Sequence, residues 1–521
     1  MRKFIFCSLV CFLSFSFSAC KGDTGSSGNA ASTFSGGAGK PTDPSTNPDP
    51  VEADGIRVKA SGEDYPAENT LDGSLDPESR WSANGDDEWI EYDLGGNYLV
   101  RGLEIAFLDS RSRTQRFTIQ LRNSGGDWIK VFEGQNRSNE PEFQHFGFYP
   151  RKARYVRITG NGGESGGDRS TTLVEMMPVY DSERIMPKAS YRRTYHVSPK
   201  GDGDGSESAP LGSIQEALKL AQPGDRVLLA AGRYMEDISS VRSGTKDHPI
   251  TIQGPKGAIL QGDGGGRVFE IHHDYIRLLG FTMDGLVGKG TSRNDYREKL
   301  LYVQGENTHR GPEGLMIHGM SFRNAGGECL RLRYFIRNAD VGFNRFENCG
   351  VHDFKFGGKK NGEAIYLGTS SMQWEDGKNP TGGPDISTNN RIHHNYFNTQ
   401  GNECVDIKEG SVKNLVEYNY CTGQQDPNSG GFDSRSDDNT FRYNVSVGNR
   451  GAGVRIGGHE VDGHTYGTHN HVYGNVLQEN AGGTLKLLTP GQSHLCENTV
   501  MGSKGRSASG YDGDLTESCK F

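Results

Sequence analysis

In the segment Glu403-Cys404-Val405-Asp406-Ile407-Lys408-Glu409-Gly410, an aspartate and a lysine alternate with apolar residues. Successive side chains of an extended strand point to opposite faces. Val405 and Ile407 belong in a core, so Asp406 and Lys408 are expected outward on one ledge, with Glu403 and Glu409 at the strand ends where alternation fails. The same reading applied to Phe432-Asp433-Ser434-Arg435 sends Asp433 and Arg435 outward, and Val454-Arg455-Ile456 sends Arg455 outward. Asn361-Gly362-Glu363, followed by Ile365-Tyr366-Leu367, adds an amide, a carboxylate and a phenol from the preceding region. Stacked together, these strands make one face with the inventory for β-elimination on a uronic acid polymer. That reaction removes the proton at C5, and the adjacent carboxylate must first be neutralised by a cation or an arginine. A lysine can take the proton if burial and neighbouring cations lower its pKa. Arg435 beside Lys408 is expected to push in that direction.

Each residue also has a plainer reading. Lys408 fits a solvated lysine, and Asp433 with Arg435 fits a surface ion pair. His459 and His464 read as loop residues, and His393 and His394 flank a strand with no evident partner. An outward lysine makes few apolar contacts, so Lys408→Ala is expected to change stability by no more than about 0.5 kcal/mol. The face also allows C5 epimerisation, which shares the proton abstraction. Hydrolysis needs paired carboxylates, which Asp406 and Asp433 could supply. A non-enzymatic adhesin with the repeat region as a stalk is the remaining class.

The elements that must position this face are repeated. DYIRLLGFTMDG, GLMIHGMSFRNAG, NADVGFNRFENCG, NRIHHNYFNTQG, NLVEYNYCTGQQ, NTFRYNVSVGNRGAG, NHVYGNVLQENAGG and HLCENTVMGS each hold an alternating strand, an Asn or Gly, a second short strand and a polar turn. Such a repeat predicts a solenoid, here a right-handed parallel β-helix over residues 190–521. Asn recurs at 344, 395, 419, 444, 475 and 498. It is expected to tolerate a left-handed corner and to bond to the next Asn in the stack. Helical periodicity from Ser213 to Ala221 predicts a short N-terminal capping helix, since the open end of the stack must be covered. Of nine cysteines, Cys329–Cys349, Cys404–Cys421 and Cys496–Cys519 are spaced by about one coil and are expected to pair. The absence of a CxxC motif argues against zinc held by these cysteines.

Ahead of the repeat, residues 52–182 show short alternating runs divided by Gly, Asn and Asp turns, which predicts an antiparallel β-sandwich. The fold class is therefore all-β: a jelly-roll sandwich followed by a parallel β-helix, each expected to fold on its own core. Residues 1–20 carry a basic start, an apolar run too short to span a bilayer reliably, and Phe17-Ser18-Ala19-Cys20. Cys20 is expected to be lipidated, so the protein is expected to be exported and anchored to a bacterial envelope membrane. Residues 21–51 lack apolar residues for a core and read as a flexible linker. A net charge of −9 and a mean hydropathy of −0.68 exclude a basic nucleic-acid footprint and a multispan membrane protein. No nucleic-acid partner and a monomeric state are expected.

Two resemblances extend this reading. ENTLDGSLDPESRWSANGDDEWIEYDLGG and RYVRITGNG resemble the discoidin domain (coagulation factor 5/8 C type), a jelly roll that usually binds glycans or membranes through loops at one end. The resemblance implies that Trp81 packs in the core, and it sets Asp72 near a structural calcium in many members. The segments around Asn361-Gly362-Glu363, Glu403 with Lys408, Ser434-Arg435 and Val454-Arg455-Ile456 resemble polysaccharide lyase family 6, which includes alginate lyases and chondroitinase B-type enzymes. That resemblance implies calcium held by Asn361 and Glu403, with Glu363 and Asp406 beside them, Lys408 as base and Arg435 as acid or carboxylate clamp. It sets Arg455, Asp433 and Tyr366 toward an anionic polysaccharide. The chain departs from the family at Ile407, Glu409 and Ser436, and Gly401 stands where one acidic ligand is expected, so Asp406 would have to substitute.

Overall fold

In the computed structural model, the chain is described over residues 56–519, apart from 73, 111, 137–142, 164–168, 181–189, 358–361 and 502–506. Cys20, the linker and Asn361 lie outside the described residues. Among the described residues, no helix is long and apolar enough to cross a membrane.

The N-terminal part is an antiparallel sheet. Its strand order is Trp81–Asn84, Ser170–Tyr180, Trp89–Phe107, Phe143–Gly163, Gln115–Arg122 and Ile129–Gln135, with Arg57–Ala60 also paired to Trp89–Phe107. Inward residues such as Ile90, Tyr92, Phe117 and Ile119 close a core around Trp81, which is fully buried. The Trp81 indole N–H donates to the Gly62 carbonyl at 2.9 Å, so this ring is a core element, as its sequence context implies. This core is not closed by its own strands alone. Val445 and Val476, from the repeat region, are buried in the same cluster, and Arg101 donates to the His394 carbonyl at 3.0 Å. The expectation that each unit closes its own core is corrected here: Val445 and Val476 face out of the β-helix, while Leu477 beside Val476 belongs to its interior stack.

From Thr194 onward the chain winds through three parallel sheets, of ten, nine and eleven strands among the described residues. Leu415–Glu417, Tyr420–Thr422 and Gly430–Ser434 fall in turn on the three sheets, and Thr440–Arg442 returns to the first. This is a parallel β-helix, and its interior is one continuous stack of Val, Ile, Leu and Phe. The helix Ile214–Leu220 covers the start, burying Ile214, Ala217 and Leu218. Ser213 Oγ accepts from the Glu216 N–H at 3.2 Å, and the Glu236 carboxylate accepts from the Ile214 N–H at 2.6 Å. Both satisfy donors that a helix start leaves open.

The asparagines form ladders. Each Nδ2 of Asn344, Asn395, Asn419, Asn444 and Asn475 donates to the Oδ1 of the next at 2.9–3.0 Å, ending on Asn498. A parallel ladder runs through Asn390, Asn414 and Asn439. One part of the expectation is corrected. The left-handed residue is the one before each asparagine: Phe343, His394, Tyr418 and Tyr443 have φ between 54° and 60°. The amide needs ordinary strand geometry to reach along the stack, so the strained corner falls one residue earlier. The three disulfides Cys329–Cys349, Cys404–Cys421 and Cys496–Cys519 are formed as the spacing predicts.

Candidate functional site

One β-helix sheet carries the predicted face. Its strands Leu330–Arg333, Ile365–Leu367, Val405–Ile407, Gly430–Ser434 and Ala452–Ile456 pair in sequence. Register sets Arg331, Tyr366, Asp406, Asp433, Arg455 and Lys486 in one outward row. The inward row is Leu330, Ile365, Val405, Phe432 and Val454, all buried. The alternation read from sequence therefore assigns both faces of these strands. Three residues before the central row stand Glu328, Glu363 and Glu403, since Cys329 N–H donates to the Glu363 carbonyl at 3.3 Å and Ala364 N–H to the Glu403 carbonyl at 2.9 Å. Two residues after it stand Arg333, Lys408 and Arg435. An acidic column, a mixed column and a basic column thus run side by side, the basic one interrupted by Gly368 on the Tyr366 coil.

These side chains are on the outer sheet face but are not solvated. Asp406 and Asp433 are 0% exposed, and Lys408, Glu363 and Glu403 are 3% exposed. The picture of Lys408 as a solvated surface lysine is corrected by this burial. Lys408 Nζ contacts the Asp406 carboxylate closely and lies 3.5 Å from Glu363 Oε1. It also lies 4.2 Å from the centroid of the Tyr366 ring, whose other cation is Arg331 at 3.5 Å. Tyr366 itself is 1% exposed, so its ring supports the cations from below. Arg435 Nη2 stands 3.8 Å from Asp406 Oδ2 and keeps part of its side chain in solvent. Arg455 Nη1 donates to both oxygens of Asp433, at 2.8 and 2.9 Å. Ser429 Oγ donates to Asp433 at 2.9 Å and closely contacts Glu403.

The electrostatics follow from burial and these neighbours. Burial opposes the Lys408 charge, but Asp406 and the other anionic neighbours outweigh it and hold the ammonium above its ordinary pKa. Arg435 pushes the other way and does not prevail, which reverses the expectation that it lowers the Lys408 pKa. Glu403 is pushed up to about 8, first by burial and then by Asp406, Glu363 and Asp433. Glu363 is raised for the same reasons, whereas Lys408 and Arg435 overcome burial to keep Asp406 below its ordinary value. Among the described residues, Glu363, Glu403 and Asp406 present ligand atoms all within 4.8 Å of one another. Glu363 Oε2 and Asp406 Oδ1 are buried without a hydrogen-bond partner. Calcium takes six to eight oxygens, commonly from carboxylates, so this donor set fits a hard cation.

Sequence reasoning missed the coil before. Glu328 is 1% exposed, pairs with Lys299 at 2.7 Å and with Arg331 at 2.8 Å. Its signal was available, because Glu328-Cys329-Leu330-Arg331-Leu332-Arg333 has the same outward polar and inward apolar pattern as Glu403 to Lys408. Sequence reasoning placed Glu409 at a strand end without its partners: Glu409 accepts from the Ser371 N–H at 3.1 Å and lies 2.8 Å from His459 Nδ1. That pairing joins the loop around Ser371–Gln373 to the segment at His459, which are far apart in sequence.

The sandwich has its own cluster on a sheet face. Arg157 lies 4.3 Å from the ring centroids of both Trp89 and Trp128, and Arg122 lies 4.6 Å from Trp128 and 4.5 Å from Tyr155. Glu91 anchors them, 2.6 Å from Arg157 and 3.6 Å from Arg122. The Asp72 carboxylate accepts from the Ser74 N–H at 2.8 Å and contacts Ser79.

Comparison with known proteins matches the F5/8 type C domain family to residues 50–176, so the N-terminal part of this chain is an F5/8 type C domain. No curated protein matched the chain. Among solved structures, the CBM32 module of AlyQ in complex with 4,5-unsaturated mannuronic acid is 32% identical, over 24% of this chain and 93% of that one, with a TM-score of 0.22. A truncated AlyQ with CBM32 and alginate lyase domains is 32% identical, over 24% of this chain and 32% of that one, also at 0.22. A pectin-binding carbohydrate-binding module is 24% identical, over 25% of this chain and 93% of that one, at 0.22.

Proposed function

We propose that the protein is a polysaccharide lyase that cleaves a uronate-containing anionic polymer by β-elimination on the β-helix face, with the F5/8 type C domain binding glycan. The observation that carries the reading is the buried trio of Glu363, Glu403 and Asp406 beside Lys408 and Arg435, with two carboxylate oxygens left unbonded. Unpaired buried carboxylate oxygens are costly, and a site that tolerates them is a candidate for a ligand that completes them.

Glu363, Glu403 and Asp406 would hold calcium, joined by Asn361 on the evidence of its sequence context alone. A bound calcium ion supplies charge neutralisation for the substrate carboxylate, which acidifies C5–H. If Glu363 and Asp406 held a cation, Lys408 would be left with burial and Arg435, both of which disfavour its charge. It then accepts the C5 proton as the neutral amine. Arg435, the more exposed cation, clamps the uronate and donates a hydrogen bond to the leaving oxygen as the C4–O bond breaks, and water protonates that oxygen. Arg455 holds Asp433 in place and borders the same row. Lys408→Arg would not substitute, because a guanidinium stays protonated at working pH.

The test is incubation of the mature protein with alginate, chondroitin, dermatan and pectate, with and without calcium. New ultraviolet absorbance from unsaturated uronate is expected on at least one polymer. No absorbance on any of them rejects the reading. Reducing ends without unsaturation would indicate a hydrolase, and proton exchange without cleavage an epimerase. For the F5/8 type C domain, the observation is the Trp89, Trp128, Tyr155, Arg122 and Arg157 cluster, because aromatic faces with guanidinium groups suit acidic sugars. Trp128→Ala is expected to weaken retention on the cleaved polymer without changing the chemistry of cleavage. The proposed envelope anchor at Cys20 predicts that Cys20→Ser releases the protein from membranes.

A further inference from the structure

A second cluster lies on a different sheet of the β-helix. Strands Met316–His318, Asp340–Gly342 and Arg391–His393 are neighbours there, and register aligns His318, Gly342 and His393 across them. Gly342 has no side chain, and the His393 ring fills its place. A Cβ on Gly342 would meet His393 Cε1 at 2.5 Å and Nε2 at 2.6 Å. Lying across the glycine, the ring reaches the next coil. His393 Nε2 comes to 2.6 Å from Asp340 Oδ1, and His318 Nε2 to 3.1 Å from Asp340 Oδ2. One ligand atom from each residue lies within 4.8 Å of the others.

We propose that His318, Asp340 and His393 bind a divalent transition metal of the zinc type, distinct from the cation site among the glutamates. Two imidazole nitrogens and one carboxylate oxygen are the ligands such ions prefer, and calcium or magnesium would favour all-oxygen sets. Three protein ligands leave a fourth position. The Asp340 side chain is 36% exposed while both histidines are 4% exposed, so that position opens on the Asp340 side. The support behind the ligands is also in place. His393 Nδ1 lies 2.8 Å from His394 Nδ1, which gives the ring nitrogen opposite the metal a partner. Phe343 stacks on His394 at 4.9 Å and stands edge-on to His393 at 5.2 Å and His318 at 5.7 Å, boxing the rings in. The residues of this box, Phe343 and His394, both hold left-handed backbone, at φ 60° and 54°.

The experiment uses the full chain, stripped with chelator and titrated with cobalt(II) as a visible-absorption probe, then with zinc in competition. One cobalt per chain is expected, displaced by zinc and not by calcium. Asp340→Ala and His393→Gln should each weaken cobalt binding at least about tenfold, the effect usual for loss of a group that holds or orients a metal. Glu363→Gln should leave it unchanged. Asp340→Ala alters a partly exposed side chain, so it serves if His393→Gln does not fold. Absence of cobalt and zinc binding to the wild-type protein overturns the proposal. Binding that survives both variants, or is lost in Glu363→Gln, overturns it equally.

Discussion

The β-helix buries two kinds of polar stack, and they are built to opposite specifications. In the asparagine ladder every amide is used. Asn419 accepts from the N–H and Nδ2 of Asn395, and donates to Asn444 Oδ1 and the Ile392 carbonyl. The group is neutral, repeats once per coil, and leaves nothing over. The charged columns on the neighbouring sheet are as deeply buried, yet Glu363 Oε2 and Asp406 Oδ1 have no partner, and Arg435 Nε has none. A stack whose only task is to hold coils together satisfies its polar atoms. The charged stack gives up that satisfaction on the coils that carry Glu363, Asp406 and Arg435. Burial of polar residues is thus common to both, and completeness of their bonding separates them.

The largest expected effect is at Lys408. Loss of a general base lowers rate by a factor of roughly 10² to 10⁴, so Lys408→Met should lose polymer cleavage by that factor. Unlike a surface lysine, it should also lower stability by about 3 kcal/mol, because a buried carboxylate is left without its cation. Adding Asp406→Asn should restore much of the stability and none of the activity, as read by chemical denaturation and the ultraviolet assay. Should the single variant cost no stability, the charged stack is not the tight network described, and the contrast with the ladder weakens.

The second effect falls on the ladder. Asn419→Ala leaves the Asn395 N–H and the Ile392 carbonyl buried and unbonded, and a loss of about 2–3 kcal/mol is expected. Under the proposed function, the variant that remains folded should cleave at the wild-type rate. A changed rate in the folded fraction would show that the ladder positions the charged columns as well as the coils.

Much of this arrangement was legible in the chain. Alternation in Val405 to Lys408 assigns faces correctly, the recurring asparagines announce their ladder, and cysteine spacing gives all three disulfides. What was not legible depends on neighbours distant in sequence. The depth of Lys408 comes from flanking coils that supply Tyr366, Glu363 and Arg435 around it. The sharing of Val445 and Val476 with the sandwich comes from docking that no periodicity encodes. His318, Asp340 and His393 sit in three separate repeats, and only register brings them together. Glu328 is a different case: its segment shows the pattern and went unnoticed because the following residues lack an aspartate in the central row.

The smallest expected effect is a pH dependence that belongs to one stack and not to the other. Glu403 has its folded-state pKa raised from an ordinary 4.5 to about 8. In calcium-free solution the folded chain therefore keeps a proton there that the unfolded chain releases. This contribution to stability is complete below pH 4.5 and is lost as pH rises toward 8. The slope for one proton corresponds to about 1.4 kcal/mol per pH unit, so about 1 kcal/mol should disappear between pH 6 and pH 7. Glu403→Gln should remove that portion of the slope, which denaturant titrations at the two pH values in chelator would measure. Groups that do not interact with Glu403 cancel in the difference, and Asp406, Glu363 and Asp433, which do, set the size of what remains. Asn419→Ala, which touches no ionisable group, should be destabilised by the same amount at both pH values. Under the proposed function calcium would compete with the Glu403 proton, so its stabilising effect should grow from pH 6 to pH 8 in the wild type and grow less in Glu403→Gln. If the slope persists in Glu403→Gln, the proton resides on Glu363, whose pKa is raised by the same burial, and the Glu363→Gln variant should then flatten it.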